Sequence, residues 1–392
     1  MSTFMVPVVR IGAITKHANA DSLSITQVDG ENVIFRTGEF NEGDLAVYVP
    51  VDAVVPMTVP GTEFLGERPK DRRIRAKRLR GVYSEGLLLP ASVIPVNVTP
   101  KSICFGPGDD VGDYLGIRKY EDEVPDEWGT RPNGISIPGK KGLLGRFLHW
   151  CFRDELRTVE KDPGCIPHYD IEPYKKNKHI LTEGSRVVVT EKIHGTNFRA
   201  SYLNGKLYVG SRNQFWRDLA SKNALFREKL GEFVRTKVLR HKKRNERKTN
   251  LYWHTAHQYG LKEKLARFPG LAFYGEVYGQ VQDLKYGAVA GQTWLRVFDI
   301  YDTNGKFWLP WDTVRAICHS IDLETVPVLY DGPYSEAALE PLVEGKSVLA
   351  DNIREGIVVK DAYANAHEHF GLIILKWVSQ QYKLRRGGTE LH

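Results

Sequence analysis

Lys192 stands at the end of a β-branched run in VVVTEKIHGTNFRA, residues 187–200, and is followed by His194, Gly195, Thr196 and Asn197. Where a lysine ends a buried strand, desolvation and nearby cations lower its pKa, and the neutral amine is then a nucleophile. Gly195 would let the backbone approach a bound nucleotide closely. Alone, K-x-x-G is a common pattern that fits an exposed turn lysine. An ordered series follows it: Ser211 and Arg212, Glu276 in FYGEVYG, Phe298 and Asp299 in RVFDIYD, Glu355 opening EGIVVK and Lys360 closing it, and Lys376 in IILKWV. Taken singly, these residues fit a buried strand aromatic, turn carboxylates beside glycines, and strand-end lysines whose stems lie along apolar surface.

The elements that must position these residues are short strands. RVVVTEKI, FRASYL, KLYVGSR, LAFYGEVYG, LRVFDIYD, EGIVVKD and LIILKWV are β-branched or aromatic runs between turn residues. They predict an αβ region over 180–392, interrupted by a basic helical insertion at 215–268. The first hundred residues also read as strands (VVRIGAIT, SLSITQVDG, NVIFRTG, DLAVYVPVDAVVP), the pattern of an OB-like barrel over 1–106. His17 to Leu23, HANADSL, resembles the H-P-x-A-D-x-L signature of tRNA-binding OB domains with Ala18 in place of proline, and equally fits a polar turn. Residues 107–179 are rich in Pro, Gly and charge around one predicted helix, LLGRFLHWCFRDELR, and read as a linker or docking segment. The expected class is α+β.

The chain has 392 residues and a formal net charge of +7. Clustering carries more meaning than that sum, because polyanion binding depends on several cations releasing counterions together. Arg72, Arg73, Arg75, Lys77, Arg78 and Arg80 form one run, and a second basic stretch includes Lys242, Lys243 and Arg244. Each is a candidate RNA-binding face or a solvated surface. No apolar stretch is long enough to span a membrane, and no secretion signal is visible. Cys104, Cys151, Cys165 and Cys318 lack zinc-site or disulfide-framework spacing, so the expectation is a reduced, intracellular protein.

The six elements, in this order across residues 192–376, resemble the motifs of covalent nucleotidyltransferases, the fold of RNA and DNA ligase catalytic domains. EKIHGTN is similar to RNA ligases, in which histidine commonly replaces the aspartate of DNA ligases and capping enzymes. An OB-like domain placed first, carrying IRAKRLRGVYSEGLLLP, resembles the fifth RNA ligase family; DNA ligases and capping enzymes place theirs last.

That resemblance implies an ATP-dependent RNA ligase. Lys192 would take AMP from ATP as a phosphoramide, pass it to an RNA 5′-phosphate, and a 3′-OH would displace it. Lys376 is then the expected α-phosphate cation and Lys360 a second candidate. Arg212 would contact the ribose or the incoming 5′-phosphate, and Asn197 the ribose or that phosphate. Glu191 would sit near the adenine edge and Phe298 would stack on the ring. Glu276 and Glu355 would serve Mg²⁺ or Mn²⁺, with holding a ribose hydroxyl as an alternative for Glu276. RNA is the expected partner, as a nicked duplex or other broken strand, and a monomer the expected state. Two departures stand out: His194 removes a carboxylate, and Ile374 occupies a position that is lysine in many RNA ligases. The competing readings are an inert RNA-binding or tRNA-binding protein, and a DNA ligase or capping-type enzyme.

Overall fold

Two successive units are built almost wholly from antiparallel strands. The computed structural model describes residues 4–68, 72–94, 105–120, 159–218, 250–368 and 370–385, with isolated positions between 147 and 233. In the first unit, Leu23–Val28 and Glu31–Arg36 pair across the two-residue turn Asp29–Gly30. Both turn residues have positive φ, which Asp-Gly adopts at low cost and which matches the strand twist. Thr15–Lys16 extends this sheet. A second sheet places Leu45–Val49 between Val8–Arg10 and Leu87–Pro90. Leu45–Val49 is buried on both faces: Val47 and Val49 enter one apolar cluster, and Ala46 and Tyr48 another.

This unit runs past the boundary expected at 106. Arg118–Lys119 pairs with Ala53–Val54, and Val111, Leu115 and Ile117 complete the core with Val6, Val8 and Val55. Apolar burial therefore claims a stretch whose glycines and acids suggest a linker.

In the second unit, a seven-stranded sheet runs in the order Val159–Glu160, Phe215–Trp216, Lys206–Gly210, Thr196–Leu203, Leu271–Gly279, Thr293–Asp302, Phe307–Trp308. It faces a five-stranded sheet ordered Glu172–Pro173, Ile374–Val378, Gly356–Asp361, Arg186–Lys192, Val328–Pro333. The run Val187 to Val189 lies between two layers. Val188 packs with the seven-stranded sheet, whereas Val187 and Val189 pack under the helix Glu336–Val343. Burial on both faces explains a continuous β-branched run where a half-exposed strand would alternate.

Two further expectations are revised. Val159–Glu160 and Glu172–Pro173 are edge strands of the two sheets, so this part of 107–179 belongs to the second unit. Within 215–268, Phe215–Trp216 is a strand, and the helices Leu251–Gln258 and Leu261–Leu265 bury Leu251, Tyr252, Trp253, Ala256, Leu261 and Leu265 in the main core. Trp253 donates to the Trp216 carbonyl at 2.6 Å, and the Tyr259 hydroxyl accepts from the Leu295 amide at 3.0 Å. These rings are framework, fixed to neighbouring strands. Lys242, Lys243, Arg244 and most of the helix expected at 143–157 lie outside the described residues. Among the described residues, no helix is long and apolar enough to cross a membrane.

Candidate active site

Strand register brings the lysines together. Lys192 lies opposite Gly356, Val358 lies opposite both Thr190 and Lys376, and Lys360 lies opposite Val188 and Ile374. Directly opposed residues share a face. Lys192, Lys360 and Lys376 therefore all project toward the seven-stranded sheet. From that sheet, Asn197 and Glu276 stand opposite each other and face back. One cavity between the sheets is lined by Glu191, Lys192, Asn197, Arg212, Glu276, Phe298, Lys360 and Lys376. Glu355, at the entry to the strand Gly356–Asp361, contacts the Lys192 ammonium directly.

Phe298 owes its position to a β-bulge. Tyr274 pairs with Asp299 and Gly275 with Val297, so Phe298 is the extra residue on its strand. Such an insertion re-aims a side chain beside a site. Its ring lies 4.8 Å from that of Tyr169, forming an aromatic wall. Glu191 Oε2 accepts from the Val348 amide at 2.9 Å, while its Oε1 and Asn197 Oδ1 are buried acceptors with no partner among the described residues. Buried acceptors without donors are costly, and both belong to residues lining this cavity.

The site's charges are strongly perturbed. Burial first, then Lys192 and Lys119, lower Lys376 to about 8. Burial raises Glu276 to about 8, Lys192 opposing this and Glu355 adding to it. Two facing carboxylates, one held up by burial, form a place where a divalent cation relieves repulsion. Among the described residues no group of three or more His, Cys, Asp or Glu could cage a metal. The donor set fits Mg²⁺ or Mn²⁺, which keep waters and take substrate oxygens.

Several expected roles change. Gly195 does not line the cavity; a Cβ there would sit 2.2 Å from the Val277 carbonyl oxygen, so glycine is required by strand contact. Lys360 borders the cavity, but its ammonium binds the Phe298 carbonyl at 2.5 Å and Asp299 Oδ1 at 2.8 Å, while Tyr169 bonds Oδ2. It supports the aromatic wall from behind, and this engagement competes with the expected role of phosphate cation. Lys360→Met should cost about 3–5 kcal/mol, because it strips the cation from a buried carboxylate. Chemical denaturation reads this, and unchanged stability with lost nucleotide transfer would restore the phosphate role. Arg212 is paired with Asp170 at the cavity edge.

Arg72 and Arg73 are also corrected. Both are buried: Arg72 donates to the Val55, Gly66 and Pro56 carbonyls and to Thr62, and Arg73 pairs with Asp52 at 2.6 Å. Their charge is engaged within the first unit. Arg75, Lys77, Arg78 and Arg80 remain exposed. The HANADSL turn packs against their hairpin, His17 Nε2 lying 3.0 Å from the Leu79 carbonyl and Asn19 donating to that of Arg80.

Among the lining residues that sequence reasoning missed, three come from the expected linker and carry polar or aromatic groups. Lys119 comes from the first unit, and Tyr169 and Asp170 from the edge of the second. All lie in the segment whose composition reads as a linker, and no spacing signal marks them.

Residues 185–378 match the RNA ligase family and residues 5–91 match an OB-fold domain. Residues 185–378 thus form an RNA ligase family domain, with the OB-fold domain ahead of it. In overall fold the chain is similar to the RNA ligase of Naegleria gruberi. A variant of that protein with ATP and Mn superposes with a TM-score of 0.71 at 21% identity, covering 97% of this chain and 98% of the other. A second variant, with AMP and Mn, gives 0.71 at 22%, covering 97% and 98%. The same ligase with pyrophosphate gives 0.70 at 22%, covering 96% and 97%. Among curated proteins, 32% identity over 121 residues links the chain to a phenylalanine–tRNA ligase beta subunit of Symbiobacterium thermophilum, over 28% of this chain and 12% of that protein. The corresponding Leptospira biflexa subunit is 26% identical over 186 residues, 41% of this chain and 21% of that protein. The chain thus spans only a small part of the length of these curated relatives.

Proposed function

We propose that this RNA ligase uses ATP to join RNA 3′-OH and 5′-phosphate ends through AMP carried on Lys192. The observation carrying the reading is one cavity that holds a strand-end lysine against a carboxylate, a second buried lysine, an aromatic wall and orphaned acceptors. Glu191 Oε1 would accept from the adenine 6-amino group, and Phe298 would stack on the ring. Guanine has no amino group at that position, which favours ATP over GTP.

Lys192 Nζ would form a bond to the α-phosphorus as the bond to pyrophosphate breaks. Glu355, in contact with the ammonium, is the carboxylate within reach of its proton. Lys376 would neutralise the α-phosphate, and Lys119, which lines the same cavity, would meet the outgoing pyrophosphate. Glu276 and Glu355 would hold Mg²⁺ or Mn²⁺, which when bound supplies charge neutralisation of the phosphates. Arg212 and Asn197 would hold the ribose and then the 5′-phosphate of RNA. The exposed Arg75, Lys77, Arg78 and Arg80 would bind the RNA backbone. A nicked duplex, a monomeric enzyme and an intracellular setting, where RNA ends and ATP meet, accompany this reading. We read the barrel as extending to about residue 120 and the catalytic unit as beginning near 159.

The test is incubation with ATP or GTP labelled at the α-phosphate, with Mg²⁺ or Mn²⁺, followed by acid treatment. An acid-labile protein label from ATP alone is expected. RNA binding without label under either metal would favour the inert reading.

A further inference from the structure

One short segment touches both domains and the nucleophile turn. The strand Ile374–Val378, which carries Lys376, runs through Ser379 into the helix Gln380–Lys383. Ser379 is fixed there: its amide donates to the Glu355 carbonyl at 2.8 Å and its hydroxyl to Glu344 at 2.6 Å. Three side chains then diverge. Tyr382, fully buried, places its hydroxyl 2.7 Å from His194 Nδ1 in the K-x-H-G turn. Arg385 binds Asp283 at 2.7 Å, and Asp283 in turn lies 2.7 Å from His194 Nε2. Lys383 crosses to the OB-fold domain, reaching Glu85 at 2.5 Å and Glu31 at 3.5 Å.

The far side of that domain contact is as specific. Glu31 also binds Lys175 at 2.7 Å, and the neighbouring turn residue Asp29 binds Lys176 at 3.0 Å. Glu85 and Lys383 are mostly buried, so the pair is an expensive way to hold two domains together unless its register matters. His194, held on both ring nitrogens, is two residues from Lys192, and its amide donates to the Tyr286 hydroxyl at 2.7 Å. Gln282 donates to the Gly195 carbonyl. The turn after the nucleophile is thus held by Tyr286 and Gln282 from the loop between the strands Leu271–Gly279 and Thr293–Asp302, and by Tyr382 and Arg385, through Asp283, from the segment bound to the OB-fold domain.

We propose that residues 379–385 form a clasp in which Tyr382, Lys383 and Arg385 are positioning residues for transfer of AMP to lysine, making the Lys192–His194 turn responsive to docking of the OB-fold domain. The proposal rests on the ligase reading above and adds to it the route by which the first domain acts on the nucleophile. A displaced turn misaligns the attacking amine without removing any nucleotide contact. Its effect therefore falls on the rate of the covalent step and leaves ATP binding nearly intact.

The test uses the full chain and Lys383→Met, Lys383→Arg and Tyr382→Phe variants. Single-turnover lysyl-AMP formation is compared with sealing of RNA supplied already adenylylated, which bypasses the first step. Lys383→Met and Tyr382→Phe should lower the maximal rate of the first step about tenfold, with ATP half-saturation and sealing changed less than about threefold. Lys383→Arg should recover most of the rate. Hydrogen exchange of a peptide spanning residues 186–203 needs no catalysis, and should be faster in Lys383→Met than in the unaltered protein. Unaltered exchange, an unaltered first step, or equal loss in both reactions would overturn the clasp. Absence of any label on the unaltered protein would instead refute the ligase reading, leaving the exchange measurement to decide the clasp.

Discussion

Lys192→Ala is expected to lower transfer of AMP to the protein by about 10⁴-fold or more, since removing a nucleophile removes the covalent route entirely. The fold should survive, because the Lys192 side chain is about one-quarter exposed and touches the cavity rather than a core. Nucleotide binding should survive as well, since Glu191, Phe298 and Lys376 remain in place. One competitor is built into the site. Lys376, lowered to about 8, is another amine in this cavity and carries a substantial neutral fraction near that pH. A label retained in Lys192→Ala and mapped to residue 376 would move the nucleophile one strand across the sheet. A label retained elsewhere would sink the covalent assignment at this site.

The legible part of this site is the part carried by strands whose burial is two-sided. Lys192, Glu276, Phe298 and Lys376 each sit in or at the end of a β-branched or aromatic run, and pairing register then fixes which face they share. From such runs the sequence predicts the strands but not which face of the cavity they line. Phe298 shows the limit: its presentation depends on an inserted residue, which alternation cannot reveal. Lys360 shows another, because its spacing matches a phosphate cation while its ammonium is spent on Asp299 behind the wall. Arg72 and Arg73 share a basic run with exposed neighbours, and charge counting cannot separate a guanidinium that satisfies buried carbonyls from one that meets RNA. Lys119, Tyr169 and Asp170 were hidden for a different reason. Lys119 lies in the two-residue strand Arg118–Lys119, and Tyr169 and Asp170 in irregular chain just before Glu172–Pro173, all in a segment whose Pro and Gly content signals a linker. His194 was legible as a departure from the aspartate pattern. Its partner Asp283, 89 residues away, was not.

The pH dependence of lysine adenylylation should be bell-shaped around pH 8, and its two limbs should belong to different residues. Glu276 is raised to about 8 by burial, opposed by Lys192, with Glu355 adding to it; below that pH it is protonated and lacks the charge a cation needs. Activity therefore falls as pH decreases. Lys376 is lowered to about 8 by burial and by the neighbouring cations Lys192 and Lys119; above that pH it is neutral and cannot balance an α-phosphate. Activity therefore also falls as pH rises. Bound phosphate favours charged Lys376, so ATP binding above pH 8 takes up a proton, and the affinity lost approaches about tenfold per pH unit. Lys376→Ala should cost about 10²–10³-fold in the first step at pH 8, the scale of removing one oriented charge from a transition state. It should also abolish the alkaline limb. Lys376→Arg keeps a cation throughout this range, so its ATP half-saturation should stay flat from pH 7 to 9.5 while that of the unaltered protein rises. Glu276→Gln should remove the acid limb together with most of the rate. Because the groups interact through Lys192 and Glu355, the limbs report the coupled site and each must be assigned by its variant. An alkaline limb that persists unchanged in Lys376→Arg would assign it to another group, and would leave Lys376 without the role that its place opposite Val358 suggests.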